Sequence, residues 1–350
     1  MKVSVILLVY NAEKTIERAV ESVLNQQYSD IEIIIMNDGS EDNTQAICEK
    51  MLKNNPNIKL INQSNKGYTI TCNNGILNST GDYIMFLDGD DEITSDAISN
   101  LMDKASDYDI ICGNYNAIID DKIFKGFDKL DTCEIIYGSK EYNIFKTESI
   151  FGYIWGKLYK KEFIDKNNIN FYTDKKVSLE DNLFNIECFN FDPKYLFVDT
   201  PVYNYYRNYA YTTYTNINFN MLNMSVGLLE ATAKRSNKPD LLIPLIARVF
   251  SWCMIKQRGI KYFNVCCESF FKSQEINDSL NKYDAYKELK QLPSKLQIAF
   301  FTYCIYALKK KSKFLLSIFL IFRPIMISYS RKNLVRVWWI VIAFYIIENT

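Results

Sequence analysis

The sequence predicts an α/β protein built on a doubly wound, mostly parallel sheet, with a helical C-terminal region appended. Three observations carry this reading. Short β-rich runs alternate with helical patterns over the first 112 residues, the rhythm of βαβ units. The β runs are nearly continuous in apolar residues, as strands buried on both faces of a parallel sheet must be. Polar clusters stand at the C-terminal ends of three of these runs, the edge where such sheets bind ligands. A length of 350 residues allows one large domain and an appendage, and 48% hydrophobic with 23% charged residues is ordinary globular composition.

Val3–Tyr10 is the first predicted strand. Its apolar run is too short for a signal peptide, and Asn11, Glu13 and Lys14 follow it without a small-residue cleavage site. Ile16, Ala19, Val20, Val23 and Leu24 then fall on one helical face that Asn11 would cap. Ile31–Met36 is the second strand, Ile47 and Met51 mark a helix, Ile58–Ile61 is the third strand and Tyr83–Leu87 the fourth. A helix is expected over Ser95–Ala105 and a fifth strand over Ile110–Cys112. Strand one ends at Tyr10-Asn11, strand two at Asn37-Asp38-Gly39-Ser40 and strand four at Asp88-Gly89-Asp90-Asp91, so three polar clusters converge on one edge.

Residues 113–217 loosen into shorter segments rich in Tyr, Phe and Asn, the composition of a half built from loops on the scaffold. Residues 218–350 turn helical, with Met221, Met224, Leu228, Leu229 and Leu241–Phe250 apolar. From Lys290 onward there are ten basic residues and one acidic residue, Glu348, so the zero net charge hides an acidic body and a basic tail. The tail's apolar runs, Leu296–Leu308, Phe314–Phe322 and Val337–Ile347, are shorter than the roughly 20 residues of a spanning helix. Flanked by Lys and Arg, with Trp338-Trp339 at a junction, they read as segments lying on an anionic membrane surface, or else as a helical subdomain with solvated charges. No nucleic-acid partner is expected, because the basic residues are confined to this tail and no recognition motif is visible.

The chain contains no histidine. That excludes Ser-His-Asp and Cys-His nucleophilic sites, HExxH zinc sites and histidine bases, leaving a carboxylate as the leading candidate for a general base. The nine cysteines show no CxxC pair or metal spacing and read as reduced thiols. Asp88, Asp90 and Asp91 repel one another unless a cation neutralises them, and Mg²⁺ or Mn²⁺ commonly bridges such carboxylates to substrate phosphates. A charged turn or N-cap ahead of the next helix is the alternative.

The strings VSVILLVYNAEKTIERAVESVLNQQYSDIEIIIMNDGSEDNT, SNKGYTITCNNGI, GDYIMFLDGDDEI, WGKLYKKEF and LEDNLF together resemble the family 2 glycosyltransferases of GT-A fold. The resemblance implies a nucleotide-sugar half at 1–112, an acceptor half at 113–217, and an inverting enzyme. It would move a sugar from a UDP-sugar donor to a hydroxyl of a glycan or lipid-linked acceptor in bacterial surface polysaccharide (capsule or lipopolysaccharide) synthesis. It implies that Tyr10 and Glu13 border the base, Asp38 accepts from the uracil, Asp88 contacts the ribose, and Asp90 binds Mn²⁺ or Mg²⁺. Asp91 is expected as a further donor-side carboxylate, and Arg207, in the polar stretch after Tyr205-Tyr206, is expected to reach the diphosphate. By the same resemblance Asp181 would be the general base, with Glu180 and Trp155 expected on the acceptor side. The expected location is cytoplasmic, peripheral to the inner face of the cell membrane. Two positions depart from the family: no Pro stands near Leu8-Val9, and Thr71-Cys72-Asn73 replaces Ala-Arg-Asn, removing a donor-side Arg. A sugar nucleotidyltransferase would show a Gly-rich, Arg-containing loop where Val9-Tyr10-Asn11-Ala12 stands. A non-catalytic scaffold at the membrane is the other rival.

Overall fold

The computed structural model describes residues 1–127, 130–136, 150, 152–174, 180–206, 219–236, 238, 260–282 and 310–311. The chain divides into two compact units, one of residues 1–142, 150–173 and 180–215 and the other of residues 143–149, 174–179 and 216–350.

In the first unit the predicted βαβ rhythm is present. Strands β1 (Val3–Val9), β2 (Ile31–Asn37), β3 (Ile58–Asn62) and β4 (Tyr83–Asp88) lie in the order β3-β2-β1-β4, all parallel. Every residue of β1 is buried, which explains its unbroken apolar run. Helix α1 (Ile16–Leu24) buries Ile16, Ala19, Val20 and Val23, and α2 (Thr44–Asn54) buries Thr44 and Cys48.

The expected cap of α1 is corrected. Thr15, not Asn11, precedes the helix. Asn11 instead takes a left-handed conformation, φ 50°, which Asn tolerates better than most residues. Its Oδ1 accepts from Glu41 N (2.8 Å) and its N–H donates to Ser40 Oγ (3.0 Å), tying the loop after β1 to the loop after β2.

Helix α3 (Tyr68–Asn78) carries no clear apolar stripe and was not expected from the sequence. It forms because its backbone settles onto β1: a Cβ at Gly75 would stand 2.5 Å from Ile6 Cγ2. Beyond β4 the sheet becomes mixed rather than mostly parallel. Among the described residues the order continues β4-β9-β6-β10-β5, with β7 on β6 and β8 on β10.

Here β5 is Glu92–Ile93, β6 Ile110–Ile119, β7 Lys122–Lys125, β8 Cys133–Glu134, β9 Lys157–Lys160 and β10 Tyr195–Tyr206. Strand β9 runs antiparallel to both β4 and β6, whereas β10 runs parallel to β6. Helix α4 is Ala97–Met102, shorter than the expected Ser95–Ala105; α5 is Lys161–Lys166 and α6 Glu180–Phe189.

The second unit contains helices α7 (Phe219–Arg235), α8 (Ile260–Lys272) and α9 (Gln274–Lys282), in keeping with the helical pattern read from the sequence. Leu228, Leu229, Cys267, Phe270 and Ile276 are buried, and Lys234 pairs with Glu275 at 3.0 Å. Leu241–Phe250 and the three apolar tail runs lie outside the described residues. No described helix is long and apolar enough to cross a membrane.

Candidate active site

The loops at the C-terminal edge of the parallel strands are tied to one another by hydrogen bonds. Asp38, at the end of β2, is buried, and its carboxylate accepts from Gln63 Nε2 (2.7 Å), Lys66 N (2.8 Å) and Gly67 N (2.9 Å). It thereby fixes the loop from Gln63 to Gly67 across the strand end. Gly39 has φ +74°, and a Cβ there would stand 2.6 Å from Asn65 N, so the loop's approach requires glycine. Glu13 accepts from Asn43 N (3.2 Å) and Asn43 Nδ2 (2.9 Å) at the start of α2. Tyr10 is 49% exposed at the end of β1. Of these three candidates only Tyr10 presents a ring to solvent; Glu13 and Asp38 also hold loops.

The Asp88–Asp91 turn is anchored from three directions. Asp88 pairs with Leu8 in the parallel register, and Gly89 N donates to Leu8 O (3.0 Å). Thr15 Oγ1 donates to Gly89 O (2.7 Å), and the Arg18 guanidinium donates to Asp90 O. Arg18 also pairs with Glu92 (2.7 Å) and lies 3.8 Å over the Tyr206 ring. The Asp90 side chain remains exposed.

Asp91 faces the other way. It is buried, accepting from Tyr203 Oη (2.9 Å) and Tyr206 N (2.8 Å), so it bolts the turn to β10. Burial pushes the Asp88 carboxyl up to about 7, with Asp90 adding repulsion and a hydrogen bond from Tyr68 opposing it. Burial likewise takes Asp91 up to about 8, reinforced by Asp88 and Asp90. Partial desolvation at the turn also raises Asp90, exposed as its side chain is, against its own backbone N–H and the nearby Arg18.

Glu180 and Asp181 open α6, where acidic side chains suit the helix N-terminus. Asp181 Oδ1 is buried, with no hydrogen-bond partner among the described residues. Burial raises the Asp181 carboxyl well above the usual range, Glu180 and Asp88 add to this, and Lys157 opposes it. The backbone of that first turn is fixed by Asn185, whose Nδ2 donates to Asp181 O (2.8 Å) and Tyr153 O (3.0 Å).

Asp88, Glu180 and Asp181 act together on Tyr68 and Cys72 of α3, raising both above the effect of burial alone. The carboxylates of β4 and α6 therefore lie near enough to α3 for their charges to act on it together. Tyr68 and Lys157 were missed as individual functional residues, although both stand inside quoted motif strings. A tyrosine beside a turn and a lysine in a strand look like surface residues in a sequence, and only the tertiary contacts set them apart.

Trp155 is corrected. It was expected to stack on a sugar, but the indole is 7% exposed and lies between Tyr153 (4.0 Å, 16°) and Tyr203 (4.3 Å, 13°). Two near-parallel rings at those separations occupy opposite faces, leaving neither free for a sugar. Trp155→Ala is accordingly expected to cost about 3–5 kcal/mol of stability, measured by urea denaturation. A variant that raises acceptor KM without losing stability would restore the sugar-stacking role. Arg207 lies outside the described residues.

No group of three or more His, Cys, Asp or Glu among the described residues is arranged to hold a metal. The exposed Asp90 carboxylate next to Asp88 still fits Mg²⁺ or Mn²⁺, which is commonly held by one or two carboxylates together with substrate phosphates.

Residues 4–167 match the family model Glycosyl transferase family 2. The uncharacterized glycosyltransferase EpsJ of Bacillus subtilis is 33% identical over 217 residues, 59% of this chain and 61% of EpsJ. The chain thus spans less than two thirds of that relative. Cholesterol galactosyltransferase of Borreliella burgdorferi is 27% identical over 312 residues, 82% of this chain and 80% of that protein. Among solved structures, S. aureus TarS 1-349 in complex with UDP-GlcNAc superposes with a TM-score of 0.67 at 18% identity, covering 96% of this chain and 93% of that one, and so shares its fold.

Proposed function

With its first half a family 2 glycosyltransferase domain and its fold GT-A, we propose that this enzyme transfers one sugar, with inversion, from a UDP-sugar to an acceptor hydroxyl. The observation that carries this reading is the half-buried Asp181 carboxylate, whose buried Oδ1 has no hydrogen-bond partner among the described residues and which feels the charge of Asp88. A carboxylate raised by desolvation is a stronger base, as removal of a hydroxyl proton requires. Asp181 takes the acceptor proton, the freed oxygen forms a bond to the anomeric carbon, and the bond from that carbon to UDP breaks. Asp88 receives the ribose and Asp90 the metal, while Tyr10, Glu13 and Asp38 border the base. Bound with the diphosphate, Mn²⁺ or Mg²⁺ would neutralise charge developing on the leaving group. Glu180 lies beside Asp181 on the acceptor side.

The acceptor is a glycan or a lipid-linked acceptor in bacterial surface polysaccharide synthesis. A lipid acceptor is in keeping with the relative whose name specifies cholesterol. The basic, apolar tail would hold the protein on the cytoplasmic face of the membrane. TarS, of the same fold, is solved with UDP-GlcNAc, which makes UDP-sugars the donors to try first. The full chain is expected to release UDP from at least one member of a UDP-sugar panel in Mn²⁺, and to stop when EDTA is added. Release that persists in EDTA would remove Asp90 from its role. No release from any donor, with glycan and lipid-linked acceptors supplied, would favour a non-catalytic scaffold.

A further inference from the structure

Lys157 has no exposed surface, yet its ammonium forms no ion pair with a carboxylate within 4 Å among the described residues. Its ammonium donates to Ile150 O (2.8 Å) and Tyr153 O and lies 4.0 Å over the Tyr153 ring. Carbonyl dipoles and a ring face solvate a cation but do not neutralise it, and an uncompensated buried charge is costly. Asp181 is the carboxylate whose charge acts on Lys157, and Lys157 acts in turn on Asp181. The two are joined structurally as well. Tyr153 O accepts from both Lys157 Nζ and Asn185 Nδ2, and the same Nδ2 donates to Asp181 O. Tyr159 Oη donates to Asn185 Oδ1 (3.0 Å), fixing the amide's orientation.

We propose that Lys157 is a positioning residue for the base: its buried ammonium favours the ionised form of Asp181, and its shared carbonyl with Asn185 aims the first turn of α6. This rests on the reading of Asp181 as the base. Burial draws Lys157 down to about 8, with Cys112, Asp181 and Cys188 opposing it, so the ammonium is still charged at neutral pH. Other groups act on the pair. Glu180 of α6 and Asp88 of β4 push Asp181 toward its protonated form, while Tyr68 and Cys72 of α3 and Tyr159 of β9 feel its charge. Among these, Lys157 is the group that acts in favour of the ionised carboxylate.

The test compares Lys157→Gln, which keeps hydrogen-bond donors for the two carbonyls, with Lys157→Met, which keeps neither donors nor charge, and Lys157→Arg, which keeps the charge. Each full-length variant is checked for a cooperative thermal transition and for UDP affinity in Mn²⁺. Then kcat is measured from pH 5.5 to 9 at saturating UDP-sugar. The neutral variants are expected to bind UDP as the wild type does. They should lose tenfold or more in kcat at pH 6.5, with the rising limb displaced upward by at least about one pH unit, a tenfold change in ionisation. Lys157→Arg should return the limb toward its wild-type position.

A folded neutral variant with an unmoved limb overturns the proposal, whatever its kcat, because a purely structural role would leave the limb in place. If neither neutral variant folds, the wild-type profile decides: a limb below about pH 7 supports a held ionised base, and one above about pH 8 overturns it. Asp181→Asn is run alongside. If it turns over normally, the base assignment itself is wrong; if it is inactive and the limb is unmoved, only the role of Lys157 falls.

Discussion

Asp181→Asn is expected to lower sugar transfer by about 10²–10⁴-fold, the usual contribution of a positioned general base, while UDP binding in Mn²⁺ stays within a few-fold. The substitution is nearly isosteric, so α6 should keep its start. Asn185 Nδ2 bonds the backbone carbonyl of residue 181, which the substitution leaves in place. The carboxylate oxygen it replaces has no hydrogen bond to lose among the described residues. An amide cannot accept the hydroxyl proton, and with no histidine in the chain no imidazole can substitute. Glu180 is the neighbouring carboxylate, also raised by burial, and sits one residue earlier on the same turn. The direct comparison is therefore Asp181→Asn against Glu180→Gln by UDP release and single-turnover kinetics. Normal turnover by Asp181→Asn, with Glu180→Gln inactive, would move the base by one residue. Normal turnover by both would end the carboxylate-base reading.

The parallel half of the sheet was legible because β1, β4 and most of β2 are buried and so nearly continuous in apolar residues, while the more exposed edge strand β3 still keeps Ile58, Leu60 and Ile61. Strand β10 was not legible. Asp199, Thr200 and Pro201 interrupt its pattern, and the register on β6 shifts between Val198 and Tyr203, where Pro is tolerated at a bulge. Helix α3 was hidden for a related reason: its fit to β1 depends on the missing side chain of Gly75, not on a hydrophobic stripe.

In the candidate site, the Asp88–Asp91 turn and the Glu180-Asp181 pair were legible as motifs, but the direction each side chain faces was not. Whether Asp91 looks toward a ligand or into the protein depends on Tyr203 and Tyr206, more than a hundred residues later. Trp155 has the composition of a sugar platform, and only the tyrosines on its two faces show that it is packing.

The burial of Asp91 has a consequence for stability. In EDTA, the wild-type protein is expected to lose stability steadily as pH rises from about 4 to about 8. The Asp91 carboxyl titrates near 8 in the folded protein and near ~3.9 in the unfolded chain. Between those values the folded state holds a proton that the unfolded state has released, so raising the pH favours unfolding. The slope for one such group is about 1.4 kcal/mol per pH unit. Over the window that amounts to several kcal/mol for Asp91, a large part of a typical domain's stability. Asp88, pushed up to about 7, acts in the same direction but is only half-buried, so water screens part of its effect.

Asp91→Asn separates the charge from the bonding. The amide oxygen can still accept from Tyr206 N and the amide nitrogen can face Tyr203 Oη, so the turn stays fixed to β10 without a titrating group. Its unfolding free energy in EDTA, from urea denaturation at each pH, should therefore fall less between pH 5 and 8 than that of the wild type, the remaining slope coming from the other raised carboxyls, Asp88 and Asp181. If the two proteins lose stability in parallel across that window, the buried Asp91 carboxyl is not what makes this fold sensitive to pH.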